Sequence, residues 1–315
     1  MIETVVSVEL PVDENLTVKK NRLQPEQLNG KEKRICIITG THGDELEGQY
    51  VCYELIRRIE AEKEKLKGIV DVYPAVNPLG IDSITRGIPM FDLDMNRIFP
   101  GSETDGAMAE YVAAKIVEDM KGADMAMDIH ASNIFLQEIP QVRVNELTAE
   151  TLVPYAKLVN CDYVWVHSAA TVLEATLAHS LNTIGVKTLV VEMGVGMRIT
   201  QEYGNQLLDG IFNLMIELGI WESEYRPLVK EPIVSTDHEV GFVNADVSGL
   251  FVPCVQHWRN IKKGAVLGQI VNPLTGKVEQ EVTSPMDGMV FTLREYPVVA
   301  SGSLIARILG GRNHE

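Results

Sequence analysis

Two short stretches of this chain place metal-type ligands just after an apolar run. His42 and Glu45, separated by two residues, lie in Ile37-Ile38-Thr39-Gly40-Thr41-His42-Gly43-Asp44-Glu45-Leu46-Glu47-Gly48. An imidazole nitrogen and a carboxylate oxygen are both zinc-type ligands, and at this spacing both leave one strand end on the same side of the chain. Gly40 and Gly43 let the backbone bend tightly there. Such a pair is common by chance and becomes informative only with a third ligand and a base. The sequence offers both at the ends of apolar runs: His130 in Ala126-Met127-Asp128-Ile129-His130-Ala131-Ser132, and Glu192 in Leu189-Val190-Val191-Glu192-Met193-Gly194. In open α/β sheets, ligands gather at the carboxyl ends of strands, so residues this far apart in sequence can converge in space.

With these residues in hand, the chain resembles the zinc carboxypeptidase-like hydrolases of the succinylglutamate desuccinylase/aspartoacylase family. A second block extends the likeness: Asn77-Pro78-Leu79-Gly80, then Arg86, then Asp94-Met95-Asn96-Arg97-Ile98-Phe99-Pro100-Gly101, similar to the family's arginine and its Asn-Arg pair. The resemblance implies a mixed sheet with helices on both faces and one Zn²⁺ per chain held by His42, Glu45 and His130. It implies Glu192 as general base, Arg86 as the group that polarises the scissile carbonyl, and Asn96 with Arg97 as the holder of a substrate carboxylate. The implied reaction is hydrolysis of the amide bond of a small N-acyl amino acid. Asn96 lies ten positions after Arg86, farther than in the aspartoacylase and desuccinylase members. That loop is closer to the carboxypeptidase-like and N-acyl-diamino-acid deacetylase branch. Substrate choice therefore stays open between a deacylase and a carboxypeptidase acting on short peptides. A non-catalytic zinc- or metabolite-binding protein is the third reading, and it would not need Glu192 and Arg86 beside a complete ligand set.

Other polar residues carry weaker signals. Asp128, two positions before His130, shares its strand face and is either an orienting partner for the ligand or an ordinary hydrogen-bonded aspartate. His167 and His179 have no chemical companion nearby and read as structural. Arg198 follows Glu192 closely enough to line the pocket, whereas Tyr296 has no supporting motif.

The totals bound these readings. The chain has 315 residues, of which 45% are hydrophobic and 23% charged, enough for one large core or two domains. No run approaches the ~18 apolar residues of a membrane span, and Met1-Ile2-Glu3-Thr4-Val5-Val6 lacks the pattern of a secretory leader. Cys36, Cys52, Cys161 and Cys254 are scattered, as free thiols in a reducing compartment are. The expected location is the cytoplasm. A formal net charge of -16 excludes nucleic acid and anionic membranes as partners. An anion-binding pocket would have to be a local exception built from arginines. The sequence leaves the oligomeric state open, a homo-oligomer included.

The elements needed to position these residues follow from patterning. Strands are expected at 4–12, 16–23, 34–39, 69–76, 125–130, 162–167 and 187–192, with helices at 46–66, 105–120, 171–181 and 201–218. Residues 77–102 form a long loop, of the kind that is usually functional. Strand and helix alternate, as in a sheet covered on both faces. Composition shifts near residue 230, giving an expected hydrolase domain over 1–230 and an all-β unit over 231–315. Within the tail, Gly249-Leu250-Phe251-Val252 aligns with Gly288-Met289-Val290-Phe291, and Gly264 to Ile270 aligns with Gly302 to Ile308. This repeat suggests a small barrel-sandwich resembling the biotinyl/lipoyl carrier fold. Lys277 in the linking segment lacks the sequence context of a modified lysine, so the unit reads as a wall or lid beside the site.

Overall fold

The computed structural model describes residues 1–91, 93–104, 106–168 and 174–310. Its first half runs β1 (Ile2–Glu9), β2 (Asn15–Leu23), β3 (Arg34–Thr39), α1 (Glu47–Ala61), β4 (Ile69–Tyr73), α2 (Pro78–Ser83), α3 (Met108–Met120), β5 (Met125–His130) and β6 (Leu136–Asn145). Then come α4 (Ala149–Ala156), β7 (Tyr163–His167), α5 (Leu177–Thr183), β8 (Lys187–Gly194) and α6 (Gln201–Glu217). The tail is β9 (Ile233–Thr236), β10 (Val240–Asn244), β11 (Gly249–Pro253), β12 (Arg259–Ile261), β13 (Val266–Asn272), β14 (Lys277–Thr283), β15 (Gly288–Arg294), β16 (Val298–Val299) and β17 (Leu304–Leu309).

A mixed sheet in the order β1-β2-β4-β3-β5-β8-β6-β15-β17-β10 organises the molecule. Its centre, β4-β3-β5-β8, is parallel and reads as near-continuous apolar runs because both faces are covered. One face packs Val51, Leu55 and Ile59 of α1 and Leu207, Ile211 and Leu214 of α6 on the sheet. The other packs Val112, Ala113 and Ile116 of α3 and Leu177 and Leu181 of α5. Beyond β8 the main path is antiparallel, with β6 between β8 and β15, while off that path β7 pairs β6 and β9 pairs β7 in parallel. A second, antiparallel sheet, β14-β13-β11-β16, encloses its own core around Phe251, Leu267, Ile270, Val290 and Ile305. The internal repeat falls on matching strands. β11 and β13 pair in the second sheet, and β15 and β17 pair in the first.

Several local expectations are corrected. The helix expected to reach Leu66 ends at Ala61 and gives way to a tight turn over Lys63–Lys65. The segment read as a loop over 77–102 contains α2, because Pro78 opens the helix and the Asn77 side chain accepts the Gly80 N–H at 3.0 Å. It also contains a short helical turn over Met95–Arg97, capped by Asp94. The start of the helix expected at Asp105 lies outside the described residues; α3 begins at Met108, where Glu110 accepts the Ala107 N–H at 2.8 Å. The expected start of the helix over 171–181 also lies outside them, as do 311–315 of the expected C-terminal unit. Strand β6 and helix α4, absent from the sequence reading, fill the stretch between His130 and β7.

Candidate metal centre and active-site cleft

Strand ends deliver the candidate residues to one place. The chain leaves β3 through a turn in which Gly40 takes φ +69°, and a Cβ on Gly43 would lie 2.0 Å from the Gly80 carbonyl carbon. Only glycine allows so close an approach, which pins the His42–Glu45 turn against α2. His130 is the last residue of β5, and Glu192 stands directly opposite it on β8. Arg86, Asn96 and Arg97 come from the segment after α2. All seven line one cleft with room for about 230 Å³.

Glu45 is the hub of this arrangement. Its Oε1 lies 2.9 Å from His42 Nδ1, and its Oε2 lies 2.9 Å from His130 Nδ1. Oε2 also accepts the Ala131 N–H at 3.2 Å, and Oε1 accepts from Arg86 Nη1 at 2.7 Å. The outer ring nitrogens face carboxylates: His42 Nε2 is 3.0 Å from Asp94 Oδ1, and His130 Nε2 is 3.1 Å from Asp128 Oδ2. These contacts leave each histidine's Nδ1 directed inward. Burial opposes a second proton on either imidazole. Glu45 beside His42 and Asp128 beside His130 outweigh that penalty, so both histidines are held above the usual range. Burial likewise pushes the Glu45 carboxyl up, yet the two imidazoles hold it well below the ordinary carboxylate range.

Positive charge is therefore stabilised at the centre of the three residues, and their chemistry fits a divalent ion. Two imidazole nitrogens and a carboxylate oxygen, all within 4.8 Å of one another, could hold a metal ion. His42 Nδ1 is buried and, despite its short distance to Glu45, has no hydrogen bond of acceptable alignment. A buried donor atom left without an aligned partner is what a missing ligand-to-ion contact leaves behind.

The rest of the cleft is rich in arginine. Arg86, Arg97, Arg143 and Arg307 all line it, a local cationic exception in a chain of formal net charge -16. Arg86 is paired with Glu45 and lies 3.6 Å from Asp94. Arg97 is exposed and donates to the Asn96 carbonyl at 2.7 Å. Asn96 is buried; its Oδ1 accepts the Leu177 N–H at 2.9 Å, which fixes the orientation of its amide. Glu192 Oε1 lies 3.3 Å from Arg143 Nη1. Burial pushes the Glu192 carboxyl up to about 7, against the pull of Arg143 and with Glu138 adding to the rise.

Asp128 faces His130, one of the two roles open to it from sequence. His167, read as structural, lies on the cleft wall and on the wall of an adjoining cavity of about 330 Å³; His179 lines only the latter. Arg198 and Tyr296 are not among the lining residues: Arg198 pairs with Glu295 at 2.8 Å, and Tyr296 packs edge-on against Phe135. Asp94, Glu138, Arg143 and Arg307 went unrecognised in the sequence. Asp94 was within reach, since it sits two positions before Asn96 in a block already singled out.

Residues 31–218 match the family profile described as the succinylglutamate desuccinylase/aspartoacylase catalytic domain. No curated protein matches the sequence. Among solved structures, the product-bound ectoine utilization protein EutE (DoeB) from Ruegeria pomeroyi is 21% identical with a TM-score of 0.84, over 98% of this chain and 95% of that one. A succinylglutamate desuccinylase/aspartoacylase from Rhodobacter sphaeroides is 22% identical with a TM-score of 0.82, over 99% and 96%. An aspartoacylase family protein from Mesorhizobium loti is 18% identical with a TM-score of 0.78, over 99% and 96%. At these identities the structures establish a shared fold.

Proposed function

The chain belongs to the succinylglutamate desuccinylase/aspartoacylase family, and from that premise we propose that it is a zinc-dependent amidohydrolase that removes the acyl group from a small N-acyl amino acid. The observation that carries this reading is the convergence of His42, Glu45 and His130 on one point, with Glu192 on the adjoining strand facing the same cleft. Bound there, zinc would supply a Lewis acid and lower the pKa of a water to about 7. Glu192 takes the water's proton on its carboxylate and returns it to the leaving nitrogen, work suited to a group titrating near neutrality. Arg86 offers a permanent charge to the carbonyl oxygen as it becomes an oxyanion. Arg97 grips the substrate carboxylate, with the Asn96 amide beside it as a neutral donor.

The size of the cleft favours the deacylase over a carboxypeptidase, since about 230 Å³ suits an acyl amino acid better than an extended peptide. We read the sheet as carboxypeptidase-like, on the strength of its parallel centre and antiparallel flank. We read the chain beyond residue 230 as a barrel-sandwich unit that walls the cleft, supported by the core between its two sheets and by Arg307 on the lining. The test is hydrolysis by the zinc-loaded protein of a panel of N-acyl amino acids and short peptides. Release of free amino acid from the first set, with little from the second, is expected. Turnover of peptides alone would favour the carboxypeptidase, and turnover of neither would overturn the reading.

A further inference from the structure

Beside the cleft lies the adjoining cavity of about 330 Å³, which the mechanism above does not use. The two spaces share Arg143, His167, Thr176, Ala178 and Val190 on their walls, so a molecule seated in the cleft has a way into the cavity. One side of the cavity is the turn leading into α4, and another is α5.

Most polar side chains on its wall are already bonded to backbone. The Thr148 hydroxyl donates to the Asn145 carbonyl at 3.1 Å, and Asn145 Oδ1 accepts the Leu147 N–H at 2.9 Å. On the α5 side, the Thr183 hydroxyl donates to the His179 carbonyl at 2.9 Å, and Thr176 Oγ1 accepts the His179 N–H at 3.2 Å. The Asn182 amide donates to the Thr188 carbonyl at 3.2 Å and accepts the Thr188 N–H at 2.9 Å, while the Thr188 hydroxyl donates to the Val186 carbonyl. A hydroxyl whose one proton is committed has no donor left for a ligand. Leu152, Val190 and Ala178 add plainly apolar wall. Charge is equally scarce. Arg143 faces Glu138 at 2.9 Å and Glu192 at 3.3 Å, and Glu174 and His179 are exposed. Burial holds the His167 imidazole below its usual range, so it stands uncharged at neutral pH.

The cavity also has a defined place along the substrate. Asn96, which with Arg97 would hold the substrate carboxylate, accepts the Leu177 N–H in the first turn of α5, and Ala178 is on the wall of both spaces. The amino-acid part of the substrate is thus set down where the cavity opens. We propose that this cavity is the subsite for the side chain of the substrate amino acid, and that it takes an uncharged aliphatic chain. The inference rests on the amidohydrolase reading and narrows its substrate class to N-acyl amino acids with apolar side chains.

The test follows the full-length, zinc-loaded protein along the series alanine, 2-aminobutyrate, norvaline and norleucine. Calorimetry reads binding of the free amino acids, and steady-state kinetics reads kcat/KM for their N-acetyl derivatives. Both should rise about fourfold with each added methylene, the worth of moving it out of water. Glutamate and ornithine, whose side chains match norleucine in length, should bind less tightly than norleucine. Thr148→Phe and Thr183→Phe narrow the cavity from its two sides, and neither residue lines the cleft. Each should flatten the series while leaving metal content near wild type, and if one fails to fold the other carries the comparison. A flat series in the wild-type protein, tighter binding of glutamate or ornithine, or a slope that survives both variants overturns the proposal. So does a slope that appears only when the acyl chain is lengthened. A binding slope lost in the variants, without hydrolysis of any N-acyl amino acid, would keep the subsite and sink the hydrolase reading. Hydrolysis across the series with no slope would do the reverse.

Discussion

Replacing Glu192 with glutamine should make the protein nearly inactive and more stable, with a stability gain that grows as pH rises from about 4.5 to about 7 and is constant above. In the folded protein, burial raises the Glu192 carboxyl from 4.5 to about 7. A shift of about 2.5 pH units corresponds to about 3 kcal/mol at ~1.36 kcal/mol per unit. The sign follows from linkage. A group whose folded pKa is raised binds its proton more tightly in the folded state, so its contribution to stability is fully present below the unfolded value near 4.5. That contribution is lost as pH rises through about 7. Glutamine mimics the protonated carboxyl and does not titrate. Relative to wild type, Glu192→Gln should therefore be near neutral at pH 4 and gain up to about 3 kcal/mol at pH 8. Urea denaturation of chelator-treated protein at several pH values reads this as a rising midpoint with an unchanged slope. The same variant, loaded with zinc, should keep its metal and lose roughly 10² to 10⁴ in kcat. A pH-independent stability change, or a loss of stability at pH 8, would refute the strained-carboxylate account. Near-normal turnover would mean that another residue moves the proton.

Purified protein should carry about one tightly bound divalent ion per chain, and His42→Ala or His130→Ala should lose it; stoichiometric metal in both variants, measured by elemental analysis, would remove them as ligands. Arg97→Ala should mainly raise KM, by about 1.5 to 3 kcal/mol in binding, whereas Arg86→Ala should mainly lower kcat, because only the second contact strengthens in the transition state. Amidating the substrate carboxylate should mimic Arg97→Ala in steady-state kinetics, and equal hydrolysis of amidated and free-acid forms would show that Arg97 is not the anchor. Asp94→Asn should weaken metal binding about ten- to a hundredfold in a chelator competition titration, since Asp94 faces His42 Nε2 and accepts the Asn96 N–H at 2.9 Å. Wild-type affinity in that variant would mean His42 needs no orienting carboxylate.

The parallel centre of the sheet and the residues at its strand ends were legible because their signals are local. Ile35 to Ile38 is an unbroken apolar run and Met125 to Ile129 is broken only by Asp128, and a polar ligand just beyond such a run stands out against it. Convergence could be argued from topology alone, since parallel strands put their carboxyl ends at one edge. Asp128 was visible but ambiguous for the same local reason: alternation assigns it a face, and only the fold shows that its oxygen comes within 3.1 Å of His130 Nε2.

What stayed hidden depends on a break in that alternation. Leu136 to Asn145 looks like a poor strand because Pro140 sits in its middle, and an interior proline argues against a paired strand. The structure resolves the conflict with an irregularity: the β6–β8 register shifts between Glu138 and Gln141, around a proline that has no N–H to give. The shift has a functional side. Glu138 and Arg143 are five residues apart, so strict alternation would send them to opposite faces, yet both line the cleft. One irregularity therefore hid the strand from pattern reading and brought a buried carboxylate and a guanidinium to the same wall. Arg307 was beyond reach for a further reason, because nothing in residues 304–309 indicates that β17 pairs β15, or that β15 in turn pairs β6. The catalytic and substrate-gripping groups proposed here come from the sheet's parallel centre and the segment after α2, while Glu138, Arg143 and Arg307 line the same cleft from the strands beyond β8, so two separately patterned parts of the chain build one wall.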